Sequence, residues 1–109
     1  MRIVRVWRGA TSTAKADGYV QVVERTGVKA LRETPGNRGV WVLRRVLGDK
    51  TEFRVVSLWD SLEVIHGFAG ADIEKAVFYP EDDDYLVERD LTVSHFELAS
   101  GSAAPAAAP

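Results

Sequence analysis

The chain has 109 residues, 46% hydrophobic and 28% charged, with no cysteine and a formal net charge of -2. Without cysteine there is no disulfide framework, thiolate nucleophile or cysteine-based zinc site. The balance of 14 basic against 16 acidic side chains argues against a nucleic-acid footprint. No run approaches the roughly 18 apolar residues of a membrane span, and MRIVRVWRG lacks the apolar block of a signal peptide. A cytoplasmic protein with neither nucleic acid nor membrane as partner is expected. Residues 99–109, ASGSAAPAAAP, offer nothing to a packed core and read as a disordered Ala/Pro-rich tail, leaving one domain over residues 1–98.

Residues 2–9 read as a strand in which Ile3, Val4, Val6 and Trp7 interleave with three arginines and Gly9 closes the run. In the following stretch Ala16, Tyr19, Val20, Val23, Gly27, Ala30 and Leu31 recur at spacings of three and four. That is the pattern of an amphipathic helix, with Thr11, Ser12 and Thr13 as N-cap candidates and Pro35-Gly36 as the stop. Gly18 and Gly27 each cost about 1 kcal/mol relative to Ala, and mark either close packing or a break before Val28. Residues 38–47 and 52–59 are β-type runs joined through Gly48-Asp49-Lys50, which predicts a hairpin. Asp60 and Glu63 resemble a capping box opening a second helix that Gly70 ends. A short helical piece over Asp72–Phe78, the acidic turn Glu81–Asp84 and a strand from Leu86 to Leu98 complete the chain. The order predicts an α+β, ferredoxin-like β-α-β-β-α-β fold with a four-stranded antiparallel sheet.

Two helices cover one face of such a sheet, yet both faces read apolar. Val40, Val42 and Val46 oppose Trp41, Leu43 and Leu47; Phe53, Val55 and Trp59 oppose Val56 and Leu58; Leu91 and Val93 oppose Phe96 and Leu98. An exposed patch of that size points to a second copy of the chain, sheet against sheet, in a homodimer.

Few side chains are left to carry chemistry. His66, at the edge of the second helix's apolar face, reads either as a base or ligand in a cavity or as a flank histidine bonded to a backbone carbonyl. His95, in the last strand, lines a pocket or an interface, and His95-Phe96-Glu97 has no third ligand at metal spacing, so no metal site is expected. Trp59 ends the third strand where the chain turns into the helix, the place for a pocket mouth. Phe68, Phe78, Tyr79 and Tyr19 join it as candidates to line an apolar small-molecule pocket, or as ordinary core. Arg5 in the central strand and Arg44, Arg45 and Arg54 in the hairpin stand out, because a buried arginine needs an anion. Glu52, Glu88 or Asp90 would supply it structurally, and a phenolate or carboxylate ligand is the functional alternative. The Glu81–Asp84 run lacks calcium-loop spacing and reads as a solvated turn.

DGYVQVVERTGVKALRETPGNRGVWVLRR followed by FRVVSLWDSLEVIHGFAG resembles the antibiotic-biosynthesis-monooxygenase-like proteins of the dimeric α/β-barrel superfamily. The likeness covers Met1–Leu98. It rests on Pro35-Gly36 with Gly39, on the Trp59-Asp60-Ser61 junction, and on the order of elements. The resemblance implies a homodimer closing a dimeric α/β barrel, with one pocket per subunit between sheet and helices. It further implies a monooxygenase acting on an aromatic, phenol-like small molecule without a cofactor, with Trp59 at the family's tryptophan position and His66 beside it as catalytic candidates. Tyr19, Phe68, Phe78, Tyr79, Arg5 and His95 would bind substrate. A non-catalytic ligand-binding or stress-response dimer is the alternative. A haem-degrading monooxygenase is a second one, from which the chain departs: Trp7 stands near where those relatives carry an asparagine, His66 comes early in its helix, and Phe78 and Tyr79 occupy the later stretch.

Overall fold

The computed structural model describes residues 1–102; residues 103–109 of the Ala/Pro-rich tail lie outside the described residues. Strand β1 (Ile3–Ser12) leads through a 3-10 turn into a helical run: α1 (Ala16–Val23), a π turn (Glu24–Val28) and α2 (Lys29–Glu33). Strands β2 (Asn37–Leu47) and β3 (Lys50–Trp59) form the expected hairpin, in which Gly48 takes φ +67, a conformation that glycine adopts without strain. A 3-10 turn (Glu63–Ile65), the short helix α3 (His66–Ala69), a 3-10 helix over Pro80–Asp84, and strands β4 (Leu86–Arg89) and β5 (Ser94–Glu97) follow.

The sheet is antiparallel in the order β2-β3-β1-β4, with β5 on β1 beside β4. β1 is central, as expected. The single last strand is corrected to two pieces, β4 against Gly9–Thr11 and β5 against Ile3–Val6. Between them the chain leaves the sheet: Trp7 Nε1 donates to Asp90 O at 2.9 Å, and Thr92 makes an isolated bridge to Lys75. The helical piece expected over Asp72–Phe78 is irregular instead, and the helix expected from Asp60 shrinks to one 3-10 turn and α3. Asp60 does not close a capping box; its carboxylate takes two bonds from Arg38, at 2.8 and 2.9 Å. Ser61 Oγ accepts from Val64 N instead, at 3.4 Å.

Register assigns each strand residue to a face. Ile3, Arg5 and Trp7 stand opposite Trp59, Ser57 and Val55, on the face the helical run covers. Two core clusters form there: Tyr19, Val22, Val23, Val28 and Phe53 with Ala16, and Ile3, Leu31, Trp59 and Ile65. The opposite face carries Trp41, Leu43, Leu47 and Phe96, exposed by 50–56%, with Val4, Val6, Val56 and Leu58 half-buried between them. No helix among the described residues is long and apolar enough to cross a membrane.

Candidate functional site

A cavity opens between the covered face of the sheet and the helical run. Val55, Ser57, Arg5 and Trp7 form its sheet side, Tyr19, Val23, Thr26, Gly27 and Leu31 its helical wall, and Phe68, Ala76–Tyr79, Asp82 and Val93 its remaining sides. It encloses about 560 Å³ between atoms, open mouth included, of which about 60 Å³ is reachable by the centre of a water-sized sphere. Holding one water takes roughly 10–15 Å³ on that measure, so the space exceeds a packing defect. The lining is mostly apolar with a few convergent polar groups, the usual build of a small-molecule site.

Arg5 is the most unusual of these groups. It is 4% exposed, and none of its bonds goes to a carboxylate: Nη1 donates to Ile73 O and meets His95 Nε2 at 3.0 Å, and Nη2 donates to Lys75 O at 3.0 Å. The guanidinium lies 5.8 Å from the Phe68 ring centroid. Burial holds its pKa down at about 10, against a weaker upward pull from Glu74. Of the carboxylates expected as structural partners of the strand arginines, Glu52 pairs with Arg45 and Arg54, but neither it nor Glu88 nor Asp90 is bonded to Arg5. A guanidinium has five N–H donors. Those that Ile73, Lys75 and His95 leave unused have no acceptor among the described residues, and the side chain borders the cavity.

His95 stands directly behind Arg5. Since Arg5 must donate to Nε2, the imidazole carries its proton on Nδ1, which is buried without a partner, 3.6 Å from Glu74 Oε1. Burial and the Arg5 charge push its pKa below the usual histidine range, so it is neutral at pH 7. On the far wall Tyr19 OH donates to Asp82 Oδ1 at 3.0 Å. Asp82 also accepts from Tyr79 N, at 2.8 Å, and is buried. The acidic run is therefore more than a solvated turn: one of its carboxylates anchors two aromatic residues of the site. Burial and Asp82 raise the pKa of both Tyr19 and Tyr79, keeping them as phenols.

Of the residues singled out from the sequence, Arg5, Tyr19, Phe68, Phe78 and Tyr79 come together around the cavity. Three do not line it. Trp59 is fully buried within the second core cluster, donating from Nε1 to Ser57 Oγ at 2.8 Å, with its ring 6.5 Å from that of Phe68; it backs the site through these two residues. His66 is exposed, its Nδ1 2.7 Å from Gly70 O, which is the flank-histidine alternative. His95 acts behind Arg5. Trp7, singled out only as a departure from the haem degraders, also lines the cavity, and sequence reasoning missed Thr26, Ser57 and Asp82. Only Asp82 carried a signal, as an acidic residue three positions after Tyr79 and so able to cap the turn that starts there.

No protein-family model matches the sequence, and no curated protein matches it significantly. Solved structures do match in fold. A candidate antibiotic biosynthesis monooxygenase from Bacillus cereus is similar at 18% identity over 98% of this chain and 100% of that one, with a TM-score of 0.65. A heme-degrading protein of Mycobacterium tuberculosis, Rv3592, is similar at 22% identity over 94% and 100%, with a TM-score of 0.57. The same heme degrader, MhuD, with two hemes in its active site, is similar at 22% identity over 93% and 99%, with a TM-score of 0.56.

These comparisons correct the expectation of a cofactor-free chain, because a protein of the same fold holds haem in its active site. The residues present here do not fit that group as it is usually held. Iron takes a histidine, thiolate, methionine or tyrosinate ligand, and no histidine borders the cavity among the described residues. Tyr19 is committed to Asp82, and both tyrosines are held as phenols. The fold itself agrees across all three structures: the chain has the α+β, ferredoxin-like architecture of the antibiotic-biosynthesis-monooxygenase-like proteins.

Proposed function

We propose that the protein binds an aromatic small molecule bearing a phenolate or carboxylate, and that its chemistry is a monooxygenase-type oxidation of that ring. One observation carries the reading: Arg5, a buried cation with no carboxylate bonded to it among the described residues, borders an apolar cavity. Burying a charge without a counter-ion is costly. An anionic ligand on the free N–H groups offsets that cost, while Phe68, Phe78, Tyr79 and Trp7 supply the apolar surround that a ring requires. A guanidinium in a poorly hydrated site also favours the ionised form of a phenol, which is the electron-rich form that oxidation needs. In this reading His95 keeps Arg5 in place, and His66 and Trp59 do not touch the substrate.

The working unit is a homodimer in which the exposed apolar face around Trp41, Leu43 and Phe96 meets its copy, a patch that a soluble monomer seldom leaves bare. Sedimentation at about 24 kDa, twice the 12.0 kDa chain, supports this. A 12 kDa species at micromolar concentration refutes it.

Titration with 4-nitrophenol tests the site. Its absorbance should show a lowered pKa when bound by the wild type, and no shift with Arg5→Met. An unshifted pKa in the wild type sinks the anion-site reading. Oxygen uptake above the buffer rate with anthrone separates a monooxygenase from a ligand-binding dimer, for which the rates are equal with and without protein.

A further inference from the structure

The helical wall of the cavity has one gap. Tyr19, Val23, Gly27 and Leu31 follow one another at four-residue spacing and all border the cavity; such residues share a helix face. Three of the four fill their positions with large side chains. Gly27 alone leaves its position empty.

Nothing among the described residues requires that emptiness. A Cβ built on Gly27 would meet only Tyr79 Cε2, at 3.9 Å, an ordinary contact. Its backbone φ lies outside the left-handed region in which glycine is needed. Gly18, nine residues earlier on the same helical run, is the contrast: its Cβ would come within 3.2 Å of Tyr85 Cε1, so packing accounts for it. Gly27 also sits inside the π turn Glu24–Val28, where Thr26 Oγ1 donates to Val22 O at 2.7 Å. π turns that interrupt helices are frequent at functional sites, and a glycine within a helix weakens it. The chain thus carries a weak, side-chain-free spot where the cavity needs room.

We infer that Gly27 determines specificity: the side-chain volume it omits, beside Tyr79, is the space that the ring system of the ligand occupies. This rests on the aromatic-ligand reading above and adds a size limit to it. A substitution here should leave the fold intact and close the site to larger rings before smaller ones.

The test is calorimetric titration of the full chain and its variants with benzoate, 2-naphthoate and 2-anthroate, alongside thermal melts. Gly27→Ala should raise Tm by about 4 °C, as expected for relief of a helical glycine in a domain of this size. It should weaken 2-naphthoate by about ten-fold or more, the low end of what overpacking a formed cavity costs, and benzoate far less. Gly27→Leu, which continues the wall as Leu31 does, should exclude all three. If the wild type discriminates by size but Gly27→Ala binds all three as the wild type does, the inference fails and the ligand reading stands. A Tm lowered by Gly27→Ala with binding unchanged assigns the glycine to the backbone and overturns it too. A wild type that binds none of the three defeats both.

Discussion

Two buried charges, one on each face of the same sheet, have opposite surroundings. On the uncovered face Glu52 is 6% exposed and takes bonds from Arg8 at 2.8 Å, Arg45 at 2.9 Å and Arg54 at 3.4 Å. Arg8 reaches on to Glu88, which Lys50 holds at 2.7 Å. On the covered face Arg5 has backbone carbonyls and a neutral imidazole, and no carboxylate bonded to it among the described residues. The carboxylate is over-supplied with cations, and its pKa is driven down to about 2, first by the Arg8 hydrogen bond and then by Arg45. The guanidinium is under-supplied. A saturated charge stabilises architecture; an unsaturated one beside a cavity is set up for a ligand.

The contrast breaks most sharply at Arg5. Arg5→Met removes the cation while keeping its length, and should weaken 2-naphthoate by about 10- to 100-fold, the worth of a charged hydrogen bond. The same variant should also lower Tm modestly, because Ile73 O, Lys75 O and His95 Nε2 lose their donor; a fall in Tm with 2-naphthoate affinity unchanged would make Arg5 purely structural.

Glu52→Gln should act on stability alone. It leaves three arginines facing a neutral amide, so thermal stability should fall while 2-naphthoate affinity stays within error. The depressed pKa fixes the sign with pH. The carboxylate's contribution is fully present above the ordinary value of 4.5, and is lost as pH falls from there toward about 2. The wild type should therefore lose Tm steeply across that window, and Glu52→Gln more shallowly. Parallel profiles would remove Glu52 from the account.

Tyr19→Phe is the intermediate case. It leaves Asp82 with the Tyr79 amide but without its phenol, costing about 1–3 kcal/mol as for any buried acceptor losing a donor, and should loosen the wall of the site. A Tm equal to that of the wild type would show the bond to be unimportant. The smallest effect belongs to His66→Ala, which removes an exposed ring bonded to Gly70 O. Binding and oxygen uptake should be unchanged, and a loss of either would return His66 to the site.

Much of the architecture was legible in the chain. The Gly48 turn between two β-type runs, the three-and-four spacing from Ala16 to Leu31, and the double apolar character of the strands are local patterns, and local patterns follow from backbone preference and solvent. The expected helices after Trp59 were less legible because Asp60 has a stronger partner in Arg38 than in its own backbone. The last strand was read as continuous because the departure from the sheet depends on Trp7, some 80 residues away in sequence, binding Asp90 O.

The site divides the same way. Composition, the arginine in the central strand and the aromatic set were available from residue types alone, because they depend on which side chains exist and how they alternate along an element. Whether Arg5 found a carboxylate, whether either histidine reached the cavity, and whether Gly27 or Gly18 was the one with room beside it depend on distances between distant segments. Chain order does not encode those distances; the packing of the helical run against the sheet sets them.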